Sequence, residues 1–278
     1  MSVAVVIATR DRRDSLLHTL ERLRELPERP PVVVVDNDSS DGSPDAVRAA
    51  HPGVHVIEAA RNLGAHARTV GARAAWTPYI AFCDDDSWWA PGALDRATEL
   101  LGADQRLGLV AARIVVEPGA RADPTCLRMQ TSPLPRHPAL PGRQALGFLA
   151  CGAVLRRSAF LAAGGFEPRL GLGGEEALLS IDLAAAGWRL LYCPDVVAHH
   201  RPHPSNRERR SRRQLRNALW VAWLRRPLPH AVTLTARLVA HAEGPAGLAD
   251  AMRGLPWVVR ERRVVAGDLE RALRAIEP

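Results

Sequence analysis

The chain has 278 residues, 47% of them apolar and 24% charged, which suits one full α/β domain with an appendage and argues against wholesale disorder. All 37 basic residues are arginine, so Schiff-base lysine, P-loop lysine and lysine-dependent nucleotidyl-transfer chemistry are excluded. The net charge of +7 is local: residues 201–226 carry nine arginines and one glutamate, and the remainder is close to neutral.

The first 110 residues alternate regularly. An apolar strand is expected over 3–7. A helix over 15–26 follows, with Leu16, Leu17, Leu20 and Leu23 at helical spacing and Asp14 as its cap. The unbroken valine run 32–35 reads as a strand covered on both faces. A strand over 54–57, a helix over 62–76 and a strand over 79–83 come next. Pro91 then opens a helix over 93–101. This order predicts an α/β fold with a mainly parallel sheet, which binds ligands beyond the carboxyl ends of its strands. Residues 117–143, rich in Pro, Gly and Arg, read as a long loop serving as a lid or an acceptor-facing element. A second block over 145–200 holds a strand, a Gly-Gly-Phe turn, a helix over about 175–186 and a strand ending near His199. From 205 onward the pattern is helical. The expected division is a catalytic domain over 1–204, with halves 1–104 and 105–204, and a helical extension over 205–278.

No uncharged apolar run reaches the ~18–20 residues that a membrane-spanning helix needs. The N-terminus has no secretory pattern. Cys83, Cys126, Cys151 and Cys193 form no CxxC pair, which disfavours a zinc ribbon or disulfide scaffold and points to the cytoplasm.

Three polar clusters follow predicted strands: Thr9-Arg10-Asp11, Asp36-Asn37-Asp38 and Asp84-Asp85-Asp86. In a parallel sheet they share one edge. Asp and Asn favour turns after strands in any case, but three such clusters at the same end converge on one crevice. Three adjacent carboxylates repel one another, and a hard divalent cation, Mg²⁺ or Mn²⁺, relieves that repulsion. Asp84 and Asp86 can face it together. An aspartate-nucleophile phosphatase would need a later lysine, and the chain has none. Glu175-Glu176 follows Gly171-Leu172-Gly173-Gly174. Acids in a first helical turn complement the macrodipole, yet beside glycines that admit a ligand one of them can serve as a general base. His199-His200 at a strand end offers an imidazole to the same crevice.

Taken in order, VVIATRDR, VVVVDNDSSDGS, RNLGAHARTVGARAA, YIAFCDDDSWW and the stretch from CGAVLRRSAF to CPDVVAHH resemble the inverting family 2 glycosyltransferases of GT-A fold, over roughly residues 2–200. The resemblance implies a nucleotide-diphosphate sugar as donor, a UDP-sugar foremost. Thr9, Arg10, Asp36, Asn37, Arg61, Asn62, Gly64, Asp84 and Asp85 are its implied contacts, and Gly174 allows close approach. Asp84, Asp86 and His199, with His200 also eligible, would hold the Mn²⁺ or Mg²⁺. Glu176 is the implied base, with Glu175 the alternative, because the family commonly has Glu-Asp there. Trp88, Trp89 and Phe166 are candidates for stacking on a sugar. The family's second Asp and the Arg of this helix are replaced by Leu178 and Asp182. The implied acceptor is a hydroxyl of a glycan, a lipid-linked sugar or a secondary metabolite. A non-catalytic sugar-nucleotide-binding or scaffold protein is the competing reading.

The arginine-rich segment 205–226 has three readings: a helix packed on the catalytic domain, a surface for an anionic membrane at its inner face, or a dock for an acidic carrier protein. No nucleic-acid module accompanies it.

Overall fold

The computed structural model describes residues 2–202, 208–240 and 243–277. Its first half is β1 (Val3–Thr9), α1 (Arg13–Arg24), β2 (Val32–Asp36), α2 (Ser43–Ala50), β3 (His55–Glu58), α3 (His66–Ala74), β4 (Tyr79–Asp84), β5 (Ser87–Trp89) and α4 (Ala93–Ala103). Then come β6 (Leu107–Val116), β7 (Arg121–Ala122), α5 (Pro124–Gln130), β8 (Arg143–Gln144), β9 (Ala153–Arg156), α6 (Arg157–Ala162), α7 (Glu175–Ala185) and β10 (Arg189–His200). The C-terminal helices are α8 (Glu208–Arg225), α9 (Leu228–Val239), α10 (Gly244–Arg253), α11 (Leu255–Glu261) and α12 (Gly267–Ala275).

The strands form one sheet in the order β3-β2-β1-β4-β9-β6-β10-β5, with β7 on β6 and β8 on β10. β3, β2, β1 and β4 are mutually parallel, β9 runs antiparallel between β4 and β6, and β10 is parallel to β6. The valines of β1 and Val33, Val34 and Val35 of β2 are buried because helices cover both faces.

The differences from expectation are local. α1 starts at Arg13, so Asp14 lies in the first turn and Arg12 takes the cap position. α2 was not foreseen: Pro44 and Asp45 open it, and Val47 is its main apolar anchor in eight residues. α3 begins at His66 because residues 62–64 make a turn, in which the Asn62 side-chain carbonyl accepts from the Gly64 amide at 2.8 Å. The segment 117–143 carries β7 and α5 and is tied down. Asp104, at the end of α4, accepts from His137 Nε2 at 3.0 Å, the Arg189 guanidinium at 2.8 Å and the Arg106 amide at 2.8 Å. Burial pushes the Asp104 carboxyl up, but these three bonds outweigh it and hold it down at about 2. Since its folded value lies below the unfolded one, Asp104 contributes stability above about pH 4 that fades as pH falls through about 2. Asp104→Ala is expected to cost about 1–2 kcal/mol at pH 7. Urea unfolding checks this, with the difference from wild type shrinking as pH falls through about 2.

The main core holds Phe82, Trp89, Phe160, Phe166 and Tyr192, and the four free cysteines are buried. A second core joins α7 to the C-terminal helices: Leu178 and Ile181 pack with Leu219, Trp220, Val221, Leu224 and Leu273. The C-terminal helices thus share their core with the element that carries Glu175 and Glu176. The arginines whose side chains are described explain part of the charge. Arg225 pairs with Asp182, Arg226 with Glu270 and Glu277, and Arg212 with Asp250. Arg216 lies over the Trp220 ring at 4.3 Å. These four are engaged in contacts within the protein; residues 205–207, and the side chains of 208–211, lie outside the described residues. Among the described residues no helix is long and apolar enough to cross a membrane.

Candidate active site

The parallel register sets Thr9 beside Asp36 and Ala8 beside Asp84, so β1, β2 and β4 deliver their polar ends to one edge, as the strand-end clusters predicted. β4 stops at Asp84, and Asp85-Asp86 turn the chain into β5; the Asp84 amide donates to Ser87 Oγ at 2.8 Å and closes this turn. The turn separates the three carboxylates. Asp85 leaves the cluster: its carboxylate accepts from Thr9 Oγ1 at 2.9 Å, and its carbonyl accepts from Ser15 and Thr19 of α1. Burial first, then the charges of Asp86 and Asp84, raise the Asp85 carboxyl to about 7. Thr9 and Asp85, both expected to contact the nucleotide, are bonded to each other at the wall of the cleft.

Asp84 and Asp86 remain on the open side, and β10 brings them a third partner. Its antiparallel pairing with β5 sets His200 opposite Ser87 and His199 opposite Trp88. One ligand atom each from Asp84, Asp86 and His200 lie within 4.8 Å of one another, and His200 Nε2 is 3.3 Å from Asp86 Oδ1. Burial alone would lower the His200 imidazole, but its bond to Asp86 and the charges of both aspartates raise it. His199 points to the other face. Its ring stacks on Trp88 at 5.5 Å and its Nδ1 meets Glu117 at 3.1 Å. The imidazole that joins Asp84 and Asp86 is therefore that of His200 and not that of the expected His199, because adjacent strand residues face opposite sides. Two carboxylates and an imidazole suit Mn²⁺ or Mg²⁺, so the donor set fits the cation that the acidic cluster called for.

The stacking expectations also change. Trp88 is buried between His199, the edge of His18 and the Arg22 guanidinium. Trp89 and Phe166 are fully buried, the latter among Phe82 and Phe160. None of the three presents a ring to the cleft; all pack the core.

On the nucleotide side, Asp36 is buried and its Oδ2 accepts from the Ser39 amide at 2.9 Å, while Oδ1 has no hydrogen-bond partner. Asn37 joins β2 to the 62–64 turn by donating to the Gly64 carbonyl at 3.2 Å and accepting from the Leu63 amide at 3.0 Å. It positions the turn. Gly64 has φ +60°, and a Cβ there would stand 2.8 Å from the Gly171 carbonyl oxygen. The same oxygen accepts from the Ala65 amide at 2.8 Å, so Gly64 seams the β3–α3 turn to the glycine loop 171–174. Arg10, Asn62, Arg12, Arg68, Asp84, Asp86 and His200 line a cleft of about 360 Å³. Through Asn62, Gly64 and Leu172 it adjoins a second hollow of about 610 Å³, which takes Arg61 together with Arg169 and Arg213.

The glycine loop is held from behind by α8. Asn217, fully buried, donates its side-chain amide to the carbonyls of Leu170, at 2.9 Å, and of Gly173. Gly174 (φ +89°) caps α7, and a Cβ on it would lie 3.1 Å from the Asn217 Cβ. Its smallness thus serves helix packing as well as any ligand. The loop aims the first turn of α7 into the site. Glu176 Oε1 accepts from the Ala150 amide at 2.5 Å, and Glu175 is buried with Oε2 unpartnered. Burial, followed by the charge of Glu175, pushes the Glu176 carboxyl up to about 8 against the opposing pull of Ala150 and Arg68; burial likewise raises Glu175.

Arg68 was missed in the sequence. It sits on the packing face of α3, buried, its guanidinium bonded to Asp84 and attracted by Glu176 and Glu175. It links the acids of the candidate metal cluster to the candidate base. A cation placed among the buried small residues Ala67, Thr69 and Ala72 was the available signal, since a charge is seldom buried unpaired. Asn217 had no such signal, because its partners are backbone carbonyls far away in sequence.

This sheet with its acidic strand-end site defines a glycosyltransferase of GT-A fold. Residues 4–162 match the family model for glycosyl transferase family 2, more than half of the chain, and the chain belongs to that family. It is 30% identical over 215 residues, 65% of this chain and 70% of the relative, to the N-acetylglucosaminyl-diphospho-decaprenol L-rhamnosyltransferase of Mycobacterium tuberculosis. Among solved structures it resembles the mannosyltransferase PcManGT of Pyrobaculum calidifontis in complex with GDP-Man and Mn²⁺, with a TM-score of 0.61 and 21% identity over 99% of this chain and 85% of that one. It also resembles S. aureus TarS 1-349 in complex with UDP, with a TM-score of 0.62 and 16% identity over 91% and 71%.

Proposed function

We propose that the protein transfers a sugar from a nucleotide-diphosphate donor to a hydroxyl of a lipid-linked sugar, with inversion at the anomeric carbon, in a metal-dependent reaction at the inner membrane face. The observation that carries this reading is the placement of two acidic sets on either side of Arg68: Asp84 and Asp86 with His200, and Glu175 with Glu176. The lipid-linked acceptor is supported by the activity of the mycobacterial relative.

Asp84, Asp86 and His200 would hold the cation. A divalent ion there supplies positive charge against the diphosphate leaving group. Arg68 and Arg12, at the same edge, add fixed positive charge and need no reorganisation as negative charge grows. Glu176, once ionised, takes the proton of the acceptor hydroxyl. The oxygen attacks the anomeric carbon, the bond from that carbon to the diphosphate breaks, and its electron pair leaves with the diphosphate. The Ala150 amide holds Glu176 in place. Intact acids in both sets favour catalysis over a scaffold role.

Calorimetric titration of UDP, GDP and dTDP, with and without Mn²⁺, tests the donor half of the reading. One nucleotide, UDP foremost, is expected to bind at least tenfold more tightly with the metal than without it. Binding of none of them under either condition would remove the donor chemistry and leave the scaffold reading.

A further inference from the structure

Where the β3–α3 turn meets the loop before α7, the hollow of about 610 Å³ opens beside the cleft. Its cations are Arg61 of the turn, Arg169 of the loop and Arg213 of α8, and among the described residues no carboxylate lines it. Arg61, implied by the family resemblance as a donor contact, lines this hollow and not the cleft. Arg169 is fixed from behind: its guanidinium lies over the Trp257 ring at 4.7 Å and meets Glu261 at 3.2 Å. Among the described residues no carboxylate pairs with Arg61 or Arg213, and the Arg213 Nε is buried without a hydrogen-bond partner. Arg216, about one turn along α8, is held below the usual guanidinium range by burial and then by the charge of Arg213. Positive charge gathers here without its counterpart.

We propose that this hollow is a diphosphate site that works without a metal, and that it holds the diphosphate joining the acceptor sugar to its lipid. The second half rests on the acceptor reading given above. Planar guanidinium groups match phosphate oxygens with two N–H bonds at a time, so arginines suit a diphosphate better than any neutral ligand. The acceptor's diphosphate needs a place of its own. Asp84 and Asp86 in the cleft repel it, and a cation held there faces the diphosphate of the donor. The hollow lies next to that cleft, since Asn62, Gly64 and Leu172 line both spaces. An anion held by the arginines therefore keeps the group attached to it at the mouth of the cleft, where Arg68 and Asp84 lie. Leu172 also stands four residues before Glu176, at most about 14 Å away by backbone length, and the acceptor sugar occupies that interval.

The test titrates isopentenyl diphosphate and isopentenol into the full protein in EDTA, without nucleotide. The diphosphate is expected to bind at least tenfold more tightly. Arg213→Gln and, separately, the exposed Arg61→Gln, each folded as judged by an unchanged melting temperature, are expected to lower its affinity about tenfold. Arg213→Gln should leave Mn²⁺-dependent nucleotide binding as it was. Equal binding of the two probes, diphosphate binding that requires Mn²⁺, or an affinity that survives both substitutions would overturn the proposal. So would a loss of nucleotide affinity in Arg213→Gln as large as its loss of diphosphate affinity, since the hollow would then belong to the donor. Transfer to a prenyl-diphospho-sugar is measured separately, and Arg213→Gln should raise the acceptor KM about tenfold at unchanged kcat and donor KM. Diphosphate binding without transfer to such an acceptor would sink the acceptor reading and keep the diphosphate site. Transfer with an acceptor KM untouched by Arg213→Gln would keep the acceptor reading and overturn the role given to the hollow.

Discussion

Glu176→Gln is expected to lower kcat by about three orders of magnitude while donor affinity stays within about twofold, because a general base acts on the transition state and the donor does not need its charge. The pH dependence carries the same assignment. Glu176 sits at about 8, raised by burial and by its neighbour Glu175, so at neutral pH most of it is protonated and unable to accept the acceptor proton. In the wild type kcat should therefore rise with pH along a limb governed by this group. Glu175→Gln removes the neighbouring negative charge. That stabilises the ionised form of Glu176 and moves the limb to lower pH, with turnover retained. Stopped-time assays across pH 5.5–9 on the wild type and both variants decide the matter. An inactive Glu175→Gln beside an active Glu176→Gln would transfer the role of base by one residue, and a flat profile would remove it from both.

Asp86→Ala is expected to abolish the Mn²⁺-dependent part of nucleotide affinity, and His200→Ala to weaken it by about 10- to 100-fold. His199→Ala serves as the control on the neighbouring residue. It loses the Trp88 stack and the Glu117 contact, so it should lower the melting temperature while leaving the metal dependence intact. Titration of the preferred nucleotide with and without Mn²⁺ reads all three variants. Equal metal dependence in Asp86→Ala and the wild type would sink the metal site. Loss in His199→Ala with retention in His200→Ala would return the imidazole to the residue first expected from the sequence.

Much of the architecture was legible because it depends on local pattern. Alternating apolar strands and amphipathic helices imply a parallel sheet, and a parallel sheet brings the ends of β1, β2 and β4 to one edge whatever the details of packing. The acids there, and the glutamates behind a glycine run, are visible as types and spacings. α2 escaped notice because an eight-residue helix with one main apolar anchor has little periodicity to read. The segment 117–143 reads as a long lid or acceptor-facing loop because the carboxylate that anchors it through His137, Asp104, lies outside it.

The sequence by itself thus determined the class of fold, the edge of the sheet that works, and the acids available to it, since each of these follows from residues close together in the chain. The tertiary structure decided which of those residues face the cleft. The tight turn between β4 and β5 sends Asp85 to Thr9 and leaves Asp84 and Asp86 open. The pairing of β5 with β10 selects His200 over His199, because a one-residue step along a strand reverses the side chain. The sheet and α3 bury Arg68 between Asp84 and the Glu175–Glu176 pair, which lie about 90 residues apart in sequence. The second core turns Arg225 and Arg226 inward, where carboxylates of other elements neutralise them. In each case the deciding contact joins distant segments, and its energy comes from burial and charge pairing that exist only once the chain has folded.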